Sequence, residues 1–266
     1  MNTIVVATDF SASANNAMLY AAGIANKLQA RLLLVNVFQI PVTMSDVPVM
    51  VMPLDELRQQ VDANLERSKE LVSASFASLQ VDTESRMGDV NDELRDVCKD
   101  RDAMLVVVGK HGMTGIEKVF LGNTALSVIN HSDVPVLSVP DTVQPTGIAK
   151  AVIATDLTKH SAEVIEKTKR VIGLLACRLH VVHIKNHNED VSTDDLRNIL
   201  PYENASYHIL KADDFSAGIS QYVSENGIDL VISFPHHHNL MEKLFFKTHT
   251  AELVDEINIA MLSIRE

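Results

Sequence analysis

Four of the chain's ten glycines fall within residues 109–122, at Gly109, Gly112, Gly115 and Gly122, and Asn123 and Thr124 follow directly. The run comes after an apolar stretch, Met104-Leu-Val-Val-Val108, and leads into a helical pattern. A glycine-rich turn between a strand end and a helix start is where backbone N–H groups can surround a phosphate. The missing Cβ atoms let the backbone approach closely, and the helix start contributes unpaired donors and the positive end of its dipole. Affinity of this kind needs no basic cluster. Asn123 and Thr124 add side-chain donors. Asp9, in Thr8-Asp9-Phe10-Ser11 after the first apolar stretch, could accept from a ribose hydroxyl or a base amine, and Val37 could pack against the base.

A strand followed by Gly-x-x-Gly also occurs as a plain structural turn. The run is not a Walker A loop, because no Gly-Lys-Ser/Thr follows. It is not a dinucleotide fingerprint either, since the first strand–helix turn lacks glycine. His111 could be read as a general base, but a loop histidine that contacts phosphate or solvent accounts for it as well. No nucleophile is paired with a base and no paired carboxylates stand out, so the sequence predicts binding, with slow hydrolysis of a bound nucleotide as the upper limit of any activity.

The elements that must hold these residues occur twice. Ile4-Val-Val-Ala-Thr-Asp9-Phe-Ser returns as Ala151-Val-Ile-Ala-Thr-Asp156-Leu-Thr, Arg31–Val37 as Arg178–Ile184, and Glu117-Lys118-Val-Phe-Leu as Glu242-Lys243-Leu-Phe-Phe. Three matches in the same order mark a duplicated domain. We read residues 1–141 as the first copy, 142–148 as a polar linker and 149–266 as the second copy.

Within the first copy, strands are expected at Ile4–Ala7, Arg31–Val37, Gln80–Arg86, Met104–Val108 and Pro135–Val139. Helices are expected at Ala12–Leu28, Leu54–Leu79, Val90–Lys99 and Thr124–Asn130, with Ser11 or Ser13 capping the first. Gly88-Asp89 reads as a turn and helix cap. Such alternation, with near-continuous apolar strands, predicts an α/β fold of two doubly wound domains, each a parallel five-stranded sheet covered by helices on both faces. Two neighbouring sheets are preferred over one sheet of ten strands.

The spacing Gly109-x2-Gly112-x9-Gly122 with a polar residue next, together with Val6-Ala7-Thr8-Asp9-Phe10-Ser11, resembles the universal stress protein family. Both halves share the likeness, so the whole chain resembles a tandem member. The resemblance implies a five-stranded parallel sheet flanked by helices and ATP, ADP or AMP as the ligand, with Mg²⁺ able to accompany it. It implies that Thr8, Asp9 and Val37 surround adenine and ribose, with Ala7 in the same binding set. Gly109, His111, Gly112, Gly122, Asn123 and Thr124 would surround the phosphates. Where the family has Ser or Thr after the third glycine, this chain has Asn123, which keeps a donor and loses a hydroxyl.

The second copy keeps Asp156 but not the loop. Aligned on Glu242-Lys243, the positions of Gly109, Gly112 and Gly122 become Phe234, His237 and Lys247. Side chains would then fill the phosphate space, so no ATP is expected there. Lys247 and His249 could attract another anion. His236-His237-His238 invites a metal reading, with His236 and His238 as candidate ligands beside His183 and Asp156. Adjacent residues rarely converge on one ion, and His180 falls on the strand face opposite His183. An exposed polar loop explains the triplet more simply. A small-ligand or zinc-binding scaffold without nucleotide is the alternative function.

The formal net charge of −12 argues against nucleic acid and anionic membrane as partners. Cys98 and Cys177 match no metal or redox spacing and read as buried thiols. The first residues carry no secretory pattern and no apolar run is long enough to span a bilayer, which points to the cytoplasm. Residues 42–53, apolar for a loop, read either as a lid over the base or as a cap on the domain interface. The last strands, Pro135–Val139 and Ile259–Ile264, are expected to pair within the chain, since each presents an edge that needs a partner. A homodimer of whole chains stays open.

Overall fold

The computed structural model describes residues 2–39, 53–110, 123–144, 147–185, 189–212, 215–235 and 259–265. The first half runs β1 (Thr3–Ala7), α1 (Ala12–Leu28), β2 (Arg31–Phe38), α2 (Leu54–Ser75), β3 (Val81–Met87), α3 (Val90–Asp100), β4 (Ala103–Gly109), α4 (Asn123–His131) and β5 (Val136–Val139). The second half runs β6 (Lys150–Thr155), α5 (Ala162–Leu175), β7 (Arg178–Lys185), α6 (Thr193–Ile199), β8 (Ala205–Lys211), α7 (Phe215–Asn226), β9 (Leu230–Ser233) and β10 (Ala260–Ser263).

Local chemistry sets the helix starts. Ser11 caps α1, its Oγ accepting from the Ala14 N–H at 3.1 Å, and Ser161 caps α5 in the same way. Asp89 caps α3, with Oδ1 accepting from the N–H groups of Asn91 and Asp92. Helix α2 ends at Ser75, short of the predicted Leu79. Phe76 leaves the helical conformation (φ −134°, ψ 71°) and turns its ring onto the core.

Each half is a five-stranded parallel sheet with helices on both faces. In the first half the α1 and α2 side packs as one apolar cluster with Ile4, Val6, Leu32 and Leu34, while α3 and α4 cover Val5, Leu33, Val35 and Val106 on the other. The two sheets are not separate, however. Strand order is β3-β2-β1-β4-β5-β10-β9-β6-β7-β8, the single ten-stranded sheet that the sequence reading placed second. The joint is the antiparallel pair β5–β10, with Leu137 opposite Leu262 and Val136 opposite Ser263. Its physical reason is edge protection. Val136, Leu137 and Val139 are all buried, and a β5 left unpaired would expose a ladder set in apolar side chains.

Contacts between the helices reinforce the joint. Lys27 of α1 donates to the carbonyl of Leu175 at the end of α5 (3.1 Å), capping the last turn of a helix from the other half. Asn16 donates to the carbonyls of Pro140 and Val143 and ties down the chain that leaves β5. The outer edges are β3 and β8. On β3, Glu84 bonds both Arg86 and Arg101, so charge guards that edge. Among the described residues, no helix is long and apolar enough to cross a membrane.

Candidate functional site

Strand order reverses beside β1: β2 lies on one side of it and β4 on the other. A crevice opens at the carboxyl ends of parallel strands at such a reversal. Here β1 ends in Thr8-Asp9-Phe10-Ser11, a turn built from its own side chains. Thr8 Oγ1 accepts from the Phe10 N–H and Asp9 Oδ1 from the Ser11 N–H, each at 3.0 Å. Phe10 takes a left-handed φ of 65°, and Ser11 then starts α1. The side chain of Asn36, buried near the end of β2, donates to the Thr8 carbonyl at 2.7 Å. Ala7, Asp9, Val37 and Gly109 are half-buried around this turn, and Thr8 is buried.

Gly109 ends β4 on the face that carries α1. A Cβ placed there would lie 2.8 Å from the Ala14 nitrogen, the Ser13 carbonyl carbon and Ser13 Oγ. Its backbone is outside the left-handed region, so the requirement is for space alone. The sequence reading reserved that space for phosphate. In the fold the first turn of α1 occupies it, and the glycine lets that helix start lie directly on the strand end.

The second half supplies the comparison. Ile4 pairs with Leu105 and Ala151 with Leu230, so sheet register makes Gly109 and Phe234 equivalent. The turn itself is retained. Thr155 Oγ1 accepts from the Leu157 N–H, Asp156 Oδ1 accepts from the Thr158 N–H, and Leu157 has φ 67°. What changes is the space beside it. Phe234 is 2 % exposed, and the ring of His160 lies 4.3 Å from its centroid. Ala12 corresponds to Lys159, yet α5 begins only at Ala162, three residues later. Helix α5 therefore lacks the first turn that α1 has, about 4.5 Å of axial rise, at the end where the phenyl group replaces the glycine.

The phosphate side of the proposed set is only partly placed. Thr124 is exposed in the first turn of α4, and the backbone of Asn123 opens that helix. His111, Gly112 and Gly122 lie outside the described residues, as do His236, His237, His238, Lys247, His249 and the apolar segment 42–52. Asn36 and Lys110, both buried at strand ends, were missed from sequence, and Ser13, read there only as a possible helix cap, is buried in the first turn of α1 against Gly109. The asparagine interrupting the apolar run Leu32–Val37 was a usable signal.

A family model described as "Universal stress protein family" matches residues 1–140. The chain belongs to the universal stress protein family. Curated relatives include Universal stress protein YxiE of Bacillus subtilis (strain 168), 29 % identical over 147 residues, which cover 52 % of this chain and 98 % of that protein. Universal stress protein Sll1388 of Synechocystis sp. (strain ATCC 27184 / PCC 6803 / Kazusa) is 26 % identical over 149 residues, 51 % of this chain and 96 % of that one. About half of this chain thus matches nearly the whole length of each of these relatives. The crystal structure of a universal stress protein from Archaeoglobus fulgidus DSM 4304 superposes over 99 % of this chain and 98 % of its own, with a TM-score of 0.72 and 17 % identity. That likeness establishes the shared two-unit fold.

Among the described residues of the second half, His183 and the pair His180–His208 lie apart, on opposite faces of β7. His183 is buried, its Nδ1 2.9 Å from the Thr155 carbonyl and its Nε2 3.3 Å from a Glu189 carboxylate oxygen. His180, on the opposite face of β7, bonds Tyr222 of α7 (Nδ1 to Oη 2.7 Å) and stacks on His208 of β8 at 5.6 Å between centroids. His208 Nε2 is buried without a hydrogen-bond partner. Among the described residues no three His, Cys, Asp or Glu side chains are grouped to hold a metal.

Burial lowers the pKa of His180 and of His208 below the ordinary histidine value, and His208, Lys150 and Arg178 lower His180 further. The folded state therefore binds fewer protons at these sites than the unfolded chain. The stability they contribute is complete above the unfolded value of about 6.5 and is lost as pH falls through the lower folded values. Urea midpoints are expected to drop between pH 7.5 and pH 5, and the double substitution His180→Gln, His208→Gln should flatten that dependence.

Proposed function

We propose that the first half of this universal stress protein binds one adenine nucleotide, ATP, ADP or AMP, and that the second half binds none. Occupancy of that single site then regulates what the chain does in the stress response. The observation that supports this is the contrast at equivalent strand ends. In the first half, half-buried Asp9, Val37 and Gly109 stand at the carboxyl ends of strands β1, β2 and β4, where strand order reverses, and Gly112, Gly122, Asn123 and Thr124 follow in sequence. In the second half the side chain of Phe234 is buried at the same place. The adenine would lie along Val37, the ribose beside Asp9, and the phosphates toward the glycine loop and the first turn of α4, where backbone N–H groups are unpaired. The role proposed is binding, with slow ATP hydrolysis as the upper limit of any activity.

Isothermal titration with ATP is the test. One nucleotide per chain is expected, with binding abolished by Gly112→Val. No binding to the unmodified chain overturns the nucleotide reading, and two nucleotides per chain overturn its restriction to one half.

A further inference from the structure

We propose that Asn36 is a positioning residue of the nucleotide crevice, which holds the Thr8 carbonyl so that the Thr8-Asp9 turn presents a fixed surface to the ligand. This rests on the nucleotide reading above for its purpose, though not for its geometry. In strand β2, Arg31-Leu-Leu-Leu-Val-Asn36-Val-Phe, the amide is the one polar side chain among residues 32–38. It is 8 % exposed, and an amide buried this far carries a substantial penalty unless it is hydrogen-bonded. Its partner is a carbonyl, which can only accept, so the amide nitrogen must face it.

The placement matters because the β1–β2 ladder stops just there. The last paired residues are Ala7 and Val35, and Thr8 N–H still donates to the Val35 carbonyl at 2.9 Å. A parallel ladder would next bind the Thr8 carbonyl through the backbone of β2. The Asn36 side chain takes that carbonyl instead, at 2.7 Å. The chain is then free to leave the sheet, reach the left-handed φ of Phe10 and enter α1 while the Thr8 peptide stays fixed. Asp9 is the next residue, and its orientation follows from that peptide.

The duplicate supplies independent support. Thr8 and Asn36 correspond to Thr155 and His183, and the His183 ring bonds the Thr155 carbonyl at 2.9 Å. Two different side chains, one amide and one imidazole, perform the same contact in the two halves. What the two halves share at this position is an N–H donor aimed at one carbonyl, which supports the hold on the turn, while the use of that hold for a ligand belongs to the first half alone.

The experiment uses Asn36→Asp, Asn36→Leu and Asn36→His in the full chain, with far-UV circular dichroism to confirm folding. Two quantities are read: ATP affinity by titration, and hydrogen exchange at the Phe10 and Ser11 amides without nucleotide. Asp and Leu remove the donor, so exchange at both amides should accelerate and ATP should bind about tenfold more weakly, the equivalent of one lost hydrogen bond. Histidine restores the donor and should return both quantities to within about threefold of the original chain. Unchanged exchange in the Asp and Leu variants overturns the positioning role. Faster exchange with unchanged ATP affinity overturns its purpose in binding. If the unmodified chain binds no ATP, the nucleotide reading and that purpose both fall, while the exchange data still decide whether Asn36 holds the turn. A Leu variant that fails to fold is covered by Asp, which matches asparagine in size.

Discussion

Gly109→Ala is expected to destabilise this universal stress protein and to weaken the nucleotide site proposed above, although the change adds a single methyl group to a half-buried strand end. The new Cβ would stand 2.8 Å from two backbone atoms of α1 and from Ser13 Oγ. Neither backbone atom is the far end of a flexible side chain, so α1 itself must move. Overpacking of this kind costs about 1–3 kcal/mol. For a chain of this size each kcal/mol corresponds to about 2–4 °C of melting temperature. The matching control is Gly173→Ala in α5, where nothing lies within 4 Å of the added Cβ. Alanine inside a helix gains about 0.5–1 kcal/mol over glycine, so this variant should melt higher. Opposite shifts in scanning calorimetry would separate a glycine needed for space from one that is merely tolerated. Equal melting of Gly109→Ala and the unmodified chain would contradict the close packing of α1 on β4. Weaker ATP binding by the same variant is expected because Ser11 and the turn before it travel with the helix.

Much of the fold was legible because it rests on local signals repeated at a constant offset. Alternation of apolar strands with capped helices placed α1 correctly from Ala12 to Leu28, and the repeated Thr-Asp turn marked both halves. Harder to read was the joint. Strands β5 and β10 were expected to pair, yet two separate sheets were still preferred, because a sequence does not say that one pair suffices to make two sheets continuous. Phe76 ended α2 early for a tertiary reason, the pull of the core on one ring, which periodicity cannot register.

The site was legible in residue types and less so in roles. Asp9 and Thr8 were read as ligand contacts. The structure gives both a prior task in shaping the turn, and the second half keeps that task at Thr155 and Asp156 beside a buried Phe234. Retention of the turn therefore marks the fold and not the ligand. Gly109 was read as room for phosphate, and the room is used by α1. Asn36 went unnoticed because one polar residue within an apolar strand is a weak signal until its partner is known. The feature that discriminates the halves is the residue at the end of β4 or β9, glycine in one and phenylalanine in the other.

Phe234→Ala follows from that contrast and carries the largest expected loss of stability. The ring is 2 % exposed and belongs to the apolar cluster that runs through both halves. Truncating a buried phenylalanine typically costs about 3–5 kcal/mol, since the transfer energy of the ring and the cavity left behind both count. His160, now facing the ring at 4.3 Å, would be left over empty space. The variant should show a clearly lower urea midpoint than the unmodified chain, a larger loss than Gly109→Ala causes. Its ATP stoichiometry should nonetheless remain one per chain. Removing the ring opens space at one position, while in the sequence His237 and Lys247 still replace the glycines equivalent to Gly112 and Gly122. A second bound nucleotide in Phe234→Ala would mean instead that this one ring keeps the second half closed, and that its altered loop is secondary.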